Sequence, residues 1–499
     1  MNYIHAIELA TQPFTLMVII AAAVFGLFVG AMPGLSATMA AALLVPLTFY
    51  MDPVPAIGAI VVCSAMAIFA GDIPGALLRI PGTPASAAYV SETYLLGQKG
   101  QLSKALSVNL IASAVGGMFG TLVLIFLAPQ LALVALRFSS YEYFWLALIG
   151  LSAATLVSSS SPIKGIVSLF LGLLLATVGL DVVTGSPRFT LGMVNLMGGV
   201  SLIAALIGLF AVAELFRKAT TIEQQLPPAP QVHGAIIKQG VGAIRQYKIN
   251  AVRGSIIGTF LGILPGAGAD IAGWISYAVA KRFSKTPEKF GTGHIEGVVD
   301  ASASNNASLG GAYVPALVFG IPGDSITAIV IGVLLIKGLT PGPTVFTQSG
   351  DIVAAIFVIF ILANLLLIPL GLLAIRVARH ALAIDQRILL PLILMFSIVG
   401  AFAVNNAVFD LWIVLILGLL GWIMEENGFP VAPMVLGMVL GKIVEESFTN
   451  SMIKADGNII AFFDRPIAGG LAFVFFSIWL LPIVTRLVKR RNRSDFSAS

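Results

Sequence analysis

The chain has 499 residues, of which 58% are hydrophobic and only 10% charged, with a formal net charge of +5. A soluble globular domain carries roughly one quarter charged residues, so this composition excludes a water-soluble fold. The positive residues lie beside apolar runs, where they act as topology signals rather than as a nucleic-acid surface.

The opening Met1-Asn2-Tyr3-Ile4-His5 has no cationic region and no small-residue cleavage motif, so the first apolar span is expected to stay on the chain. Phe14 to Val29, Ile352 to Ile375 and Ile467 to Val484 each approach the roughly 20 residues that cross a bilayer as helix. Unbroken apolar runs without ten-residue alternation argue against barrel strands. The expected fold is an all-α polytopic membrane protein with roughly 10–12 membrane segments.

The first span is interrupted at Pro33-Gly34, followed by Ser36 and Thr38. Cys63 is the single cysteine and lies in an apolar run, which excludes a disulfide framework or a cysteine metal site and makes it a packing residue. Asp72 and Arg79 are ionisable groups within a span, costly unless paired or hydrated. Arg79 directly precedes a second break, Ile80-Pro81-Gly82. It either balances a polyanionic substrate or pairs with Asp72, seven residues earlier and on the same face of a helix. Thr83 and Ser86 follow that break.

Gln224 to Lys248 is the only long polar, proline-containing stretch. The organisation read from it is a first transmembrane repeat over 1–216, a cytoplasmic linker over 217–250, a second repeat over 251–487 and a cytoplasmic tail over 488–499. The second half carries a break at Pro265-Gly266, then Gly268 and Asp270. A polar run from Glu296 to Gly311 contains Asn305 and Asn306, and a last break, Ile321-Pro322-Gly323, precedes Asp324, Ser325 and Thr327.

The halves align. Gly26 to Ala40 matches Gly258 to Ala272 at seven of fifteen positions, and Pro74 to Ala87 matches Pro315 to Ala328 through Pro, Ile-Pro-Gly and Ala. Equivalent loops differ in charge. The loop after the first break is cation-free in half one but holds Lys281, Arg282, Lys285 and Lys289 in half two. After the second break, Lys99 and Lys104 in half one face a largely cation-free stretch, Gly338 to Asp351, in half two. Because cation-rich short loops stay cytoplasmic, the halves are expected to be inverted-topology repeats with re-entrant helical hairpins at 14–49 and 250–281. That is the architecture of many secondary transporters.

Proline-glycine breaks at membrane depth are tolerated only where freed backbone groups line a cavity or are buried in protein. Each leaves N–H groups at a new helix start that favour an anion. The small hydroxylated residues after the breaks can donate to carboxylate oxygens or cap the local backbone. The Asn pair can offer carbonyl oxygens to sodium or amide groups to a carboxylate, or simply join helices. Asp270 and Asp324 are read as sodium or proton coupling sites, with N-terminal capping as the alternative. There is no phosphate loop and no zinc-protease motif, and the four His fall in terminal or loop regions, so an enzyme is not expected. An anion channel would need a lined open path rather than paired helix breaks.

The stretches PGLSATMAAALLVP, GDIPGALLRIPGTPASA, PGAGADIA and EGVVDASASNNASLGG running into FGIPGDSITA closely resemble the large membrane subunit of the tripartite tricarboxylate transporters, over nearly the whole chain. The resemblance implies a secondary carrier for citrate-like or other carboxylates in the bacterial inner membrane, driven by a sodium or proton gradient. It also implies two partners, a small membrane subunit and a periplasmic solute-binding protein. Carried over by motif, the substrate-binding elements are Pro33 to Thr38, Ile80 to Ser86, Pro265 to Asp270, Asn305, Asn306, and Ile321 to Ser325 with Thr327. One departure is Asp300 followed by Ala-Ser-Ala-Ser, where a glutamate-containing stretch is expected. A non-transporting scaffold that docks the binding protein is the contrasting class, and the paired polar breaks argue against it. Outer loops such as Asp181 to Asn195 are expected to meet the binding protein.

Overall fold

The structure is a computed structural model that describes residues 2–33, 35–157, 161–181, 184–219, 236–266, 268–382 and 386–480. Gly34, linker residues 220–235 and the tail lie outside them. Helices account for most of the described chain, as a bilayer demands when it offers no water to backbone groups. Five helices are long and apolar enough to cross a membrane: Pro13–Ala31, Pro53–Leu78, Leu102–Ala135, Gly350–Ala378 and Val408–Glu426. Five shorter apolar helices accompany them, among them Ala37–Thr48 and Ser325–Ile336. These two have 12 residues each, enough to cross only about half of the hydrocarbon at roughly 1.5 Å per residue. Both follow a proline-glycine break.

The helix Ile295–Phe319, which carries the polar run of the second half, lies between several others, and every residue from Gly297 to Val318 is buried. Leu102–Ala135 packs along one side of it and Lys248–Ile263 along another. Backbones meet because the facing residues have no bulk. A Cβ on Gly116 would stand 2.0 Å from the Ala303 carbonyl oxygen, and one on Gly258 or Gly262 would stand 2.1 or 2.2 Å from those of Ser304 or Ser308. Without a hydrophobic effect between helices in lipid, such close approach is a main source of association.

The same contact recurs in half one. Gly26 and Gly30, the residues aligned with Gly258 and Gly262, lie with their Cα hydrogens against Cys63 and Ala67, where a Cβ would come within 2.4 and 2.5 Å of the carbonyl oxygens. Extending the second alignment without a gap puts Cys63 opposite Ser304 and Ala67 opposite Ser308. Cys63 is buried and free in this contact, as its apolar context suggests.

Polar anchors fasten the helices together, within and between the halves. Glu92, in the helix Val90–Gln98, accepts hydrogen bonds from the backbone N–H groups of Gly293 (2.6 Å) and His294 (2.7 Å) and from the Tyr277 hydroxyl (2.6 Å). Asp300, the residue that departs from the expected pattern, is engaged by Arg253 Nε at 2.8 Å and by Ser276 and Asn250. It holds helices in place and does not line the cavity described below. Lys337 donates to the carbonyls of Phe49 (2.7 Å) and Met51 (2.6 Å), just past the Ala37–Thr48 helix. The two half-length helices therefore end beside each other, with a cation where carbonyl dipoles point. In the loop 177–200, Arg188 bridges Asp181 at 3.0 Å and Glu445 at 2.6 Å, bracing a small strand pair that leaves Phe189, Leu191 and Val194 exposed.

Overpacking these glycine contacts costs about 1–3 kcal/mol. Gly262→Val is therefore expected to lower the thermal unfolding midpoint of the purified protein in detergent, whereas Gly470→Ala, with open space at its Cβ position, leaves it unchanged. Equal behaviour of the two variants would show that the close approach is not stabilising.

Candidate functional site

Each break ends one helix and starts another, and three of the new starts are capped by the residues that follow. Ser36 caps Ala37–Thr48, its Oγ accepting from Met39 N–H at 3.1 Å. After the second break Thr83 and Ser86 cap each other: Thr83 N–H donates to Ser86 Oγ (3.1 Å) and Ser86 N–H to Thr83 Oγ1 (3.0 Å). The aligned pair in half two makes the same reciprocal box. Thr327 N–H donates to Asp324 Oδ1 (2.8 Å) and Asp324 N–H to Thr327 Oγ1 (2.9 Å), at the start of Ser325–Ile336. Reciprocal caps of this type satisfy two orphan donors each. Gly268 opens the helix Gly268–Phe283, with Asp270 in its first turn.

The breaks also contact one another. Gly266 N–H donates to the Gly323 carbonyl at 3.0 Å, joining the two breaks of half two. A Cβ on Gly82 would stand 2.2 Å from Gly71 Cα, and one on Gly323 would stand 2.7 Å from Ala312 Cα, the position aligned with Gly71. The turn before each Ile-Pro-Gly is left-handed in both halves, at Arg79 (φ 61°) and Gly320 (φ 69°). The glycine takes that conformation freely, but the arginine does so at a cost.

All four breaks converge on one cavity of about 50 Å³. Ser36, Thr38, Gly82, Thr83, Asp270, Asn305, Asp324 and Ser325 line it, together with Ser308 and a few small or apolar neighbours. The space suits an ion or a water or two, far below the several hundred Å³ of a usual small-molecule site. Helix N-termini surround it with positive dipole ends, while Asp270 and Asp324 bring two carboxylates to the same walls. Among the described residues no group of three or more His, Cys, Asp or Glu is placed to hold a metal ion.

Other residues singled out in the sequence take supporting places. Pro81, Pro265, Gly266, Gly268, Pro322 and Gly323 shape the breaks without lining the cavity, and Ser86 and Thr327 are turned into the caps. The Pro33 carbonyl accepts from Lys218 Nζ at 3.3 Å. Gly34 lies outside the described residues. Asn306 points away from its neighbour, its Nδ2 donating to the Ala65 carbonyl at 3.4 Å, so it joins helices. Arg79 is exposed, with its guanidinium 3.4 Å from Ser91 Oγ, and neither lines the cavity nor pairs with Asp72. The helix Asp72–Leu78 stops one residue before Arg79, which turns left-handed, so the shared helix face ends there. Asp72 accepts instead from the Tyr89 hydroxyl at 2.8 Å. Ser308, part of the polar run but not among the expected site residues, lines the cavity one turn after Asn305 and donates to the Asn305 main-chain carbonyl at 2.7 Å.

Residues 16–436 match the tripartite tricarboxylate transporter TctA family. The chain is 32% identical over 486 residues to an uncharacterized 52.8 kDa protein in the TAR-I ttuC' 3'region of Agrobacterium vitis, covering 97% of this chain and 96% of that one. It is 37% identical over 230 residues to an uncharacterized protein in the TAR-II ttuC' 3'region of the same organism, covering 46% of this chain and 95% of that one. No solved structure matches. With the family match spanning most of the chain and a relative aligned almost end to end, the chain belongs to the tripartite tricarboxylate transporter TctA family.

Proposed function

We propose that the chain is the carrier subunit that moves a tricarboxylate or other small carboxylate into the cell across the bacterial inner membrane. In this reading an ion gradient, sodium or proton, drives it, a small membrane subunit accompanies it and a periplasmic solute-binding protein delivers substrate. The observation that carries the reading is the convergence of four helix breaks, two from each half and three of them capped by side chains, on one polar cavity. Exposed N–H groups and hydroxyls there suit carboxylate oxygens. Asp270 and Asp324 suit the coupling ion, because two carboxylates beside an anionic substrate need a positive partner to offset their mutual repulsion.

The cavity of about 50 Å³ is too small for a citrate-sized ion, so we take the present arrangement as a closed one. Substrate entry then requires the broken helices to separate, and the half-length arms are the elements able to move as units. Reading the halves as inverted repeats gives that motion two symmetric directions, which is what alternating access needs. On the outer side, the braced loop with exposed Phe189, Leu191 and Val194 offers the binding protein an apolar contact.

The direct test is uptake of labelled citrate and a panel of carboxylates by proteoliposomes holding this chain with its two partners, with and without an imposed sodium or proton gradient. Gradient-dependent accumulation of one of them is the expected outcome; binding of substrate to the partner with no uptake would favour a non-transporting scaffold. Thr38→Val removes a single donor to a charged ligand, worth about 1.5–3 kcal/mol, and should raise the substrate KM at least about tenfold. Asp324→Asn preserves the cap, since Asn caps as well as Asp, but removes the charge. We expect it to abolish accumulation against a gradient while leaving substrate exchange measurable, and wild-type accumulation by this variant would reduce Asp324 to a cap.

A further inference from the structure

Asp72 takes no part in the caps or the cavity wall, yet it is 2% exposed within the apolar helix Pro53–Leu78 and no cation pairs with it among the described residues. Its Oδ1 accepts from the Tyr89 hydroxyl at 2.8 Å, and its Oδ2 is buried without a partner. Tyr89 is itself buried. A phenol has one hydrogen, and Asp72 receives it, so the Tyr89 oxygen is an acceptor toward its other neighbours, Ser302 and Asn305. The side-chain amide of Asn305 has its Nδ2 3.1 Å from the Tyr89 oxygen and 3.2 Å from Thr83 Oγ1.

An amide's nitrogen and oxygen are told apart by their hydrogen-bond partners, and here the chain of partners decides. Reversing the Asn305 amide would set its carbonyl oxygen against a phenol oxygen whose only hydrogen is already given to Asp72. Both amide hydrogens are therefore committed to half one, and Oδ1, which receives no hydrogen bond from the described residues, is the end left to the cavity. Beside it stand the carboxylates of Asp270 and Asp324 in a space of ion size. Carbonyl and carboxylate oxygens are the ligands of a hard cation, not of a carboxylate substrate.

We infer that Asp72 and Tyr89 are positioning residues that hold the Asn305 carbonyl toward the cavity, so that Asn305, Asp270 and Asp324 form a sodium site. This rests on the carrier reading and chooses sodium over the proton within it. Asp72 acts only through Tyr89. Replacing it by Leu removes the acceptor, so the phenol hydrogen turns to Asn305 Oδ1 and the Asn305 NH2 group turns into the cavity.

The experiment is sodium-dependent uptake by the reconstituted three-component system, comparing wild type, Tyr89→Phe, Asp72→Leu and the pair Asp72→Leu with Asn305→Asp. Partners of a metal ligand typically contribute 10–100-fold to ion affinity. The sodium concentration for half-maximal uptake should therefore rise at least about tenfold in both single variants, with the substrate KM at saturating sodium unchanged. The double variant should recover most of the loss, since a carboxylate at 305 presents oxygen whichever way it turns. Calorimetric sodium titration of the purified subunits, run without substrate, should follow the same order and covers a variant that binds but does not transport. An unchanged sodium constant with a raised substrate KM, or wild-type uptake that needs no sodium, would overturn the inference while leaving the carrier intact. Wild type that takes up no carboxylate under any gradient overturns the carrier reading instead.

Discussion

A bilayer offers no water to a backbone N–H or carbonyl, so every interruption of a helix at membrane depth must find its own partners inside the protein. This chain interrupts its helices four times, at Pro33, Pro81, Pro265 and Pro322, and the rest of the structure follows from how those interruptions are satisfied. Small hydroxylated or acidic residues cap the new helix starts, and glycines let one break lie on another closely enough for Gly266 N–H to reach the Gly323 carbonyl. The capped starts can be satisfied together only where they meet. The resulting centre is polar and lies between helices whose other faces are apolar.

The two halves repeat a scaffold but not a chemistry. Aligned positions make the same close contacts and the same reciprocal caps. Their side chains differ in kind: Thr83 stands where half two has Asp324, Thr38 where it has Asp270, and Ser64 and Ala65 where it has Asn305 and Asn306. Half one therefore brings neutral hydroxyls to the cavity, while half two brings carboxylates and an amide.

The helix Ile295–Phe319 brings the Asn305 amide to the cavity and is buried along nearly its whole length. Polar residues so far from water are tolerated because nearly every one has a partner: Ser304 on the Ala272 carbonyl, Ser308 on Asn305, Asn306 on Ala65 and Asp300 on Arg253. Close glycine contacts on two sides seat this helix against its neighbours.

Much of this was legible in the chain itself. A composition with one residue in ten charged leaves only a membrane fold, and proline-glycine pairs mark helix interruptions wherever they fall, because proline lacks an N–H and glycine tolerates the turn. Capping residues sit within a few positions of those pairs, so Ser36, Thr83, Asp324 and their partners were local signals. Local signals do not say which way a side chain faces. Asn305 and Asn306 are neighbours in sequence but about 100° apart around a helix, and packing decided that one meets the cavity and the other Ala65. Arg79 shares a helix face with Asp72 only if the helix runs through both, and it stops at Leu78. Tyr89 carries no mark in the sequence at all. Its place between Asp72 and Asn305, residues more than two hundred positions apart, exists only once the halves are packed against each other, because hydrogen bonds depend on distance in space and not along the chain.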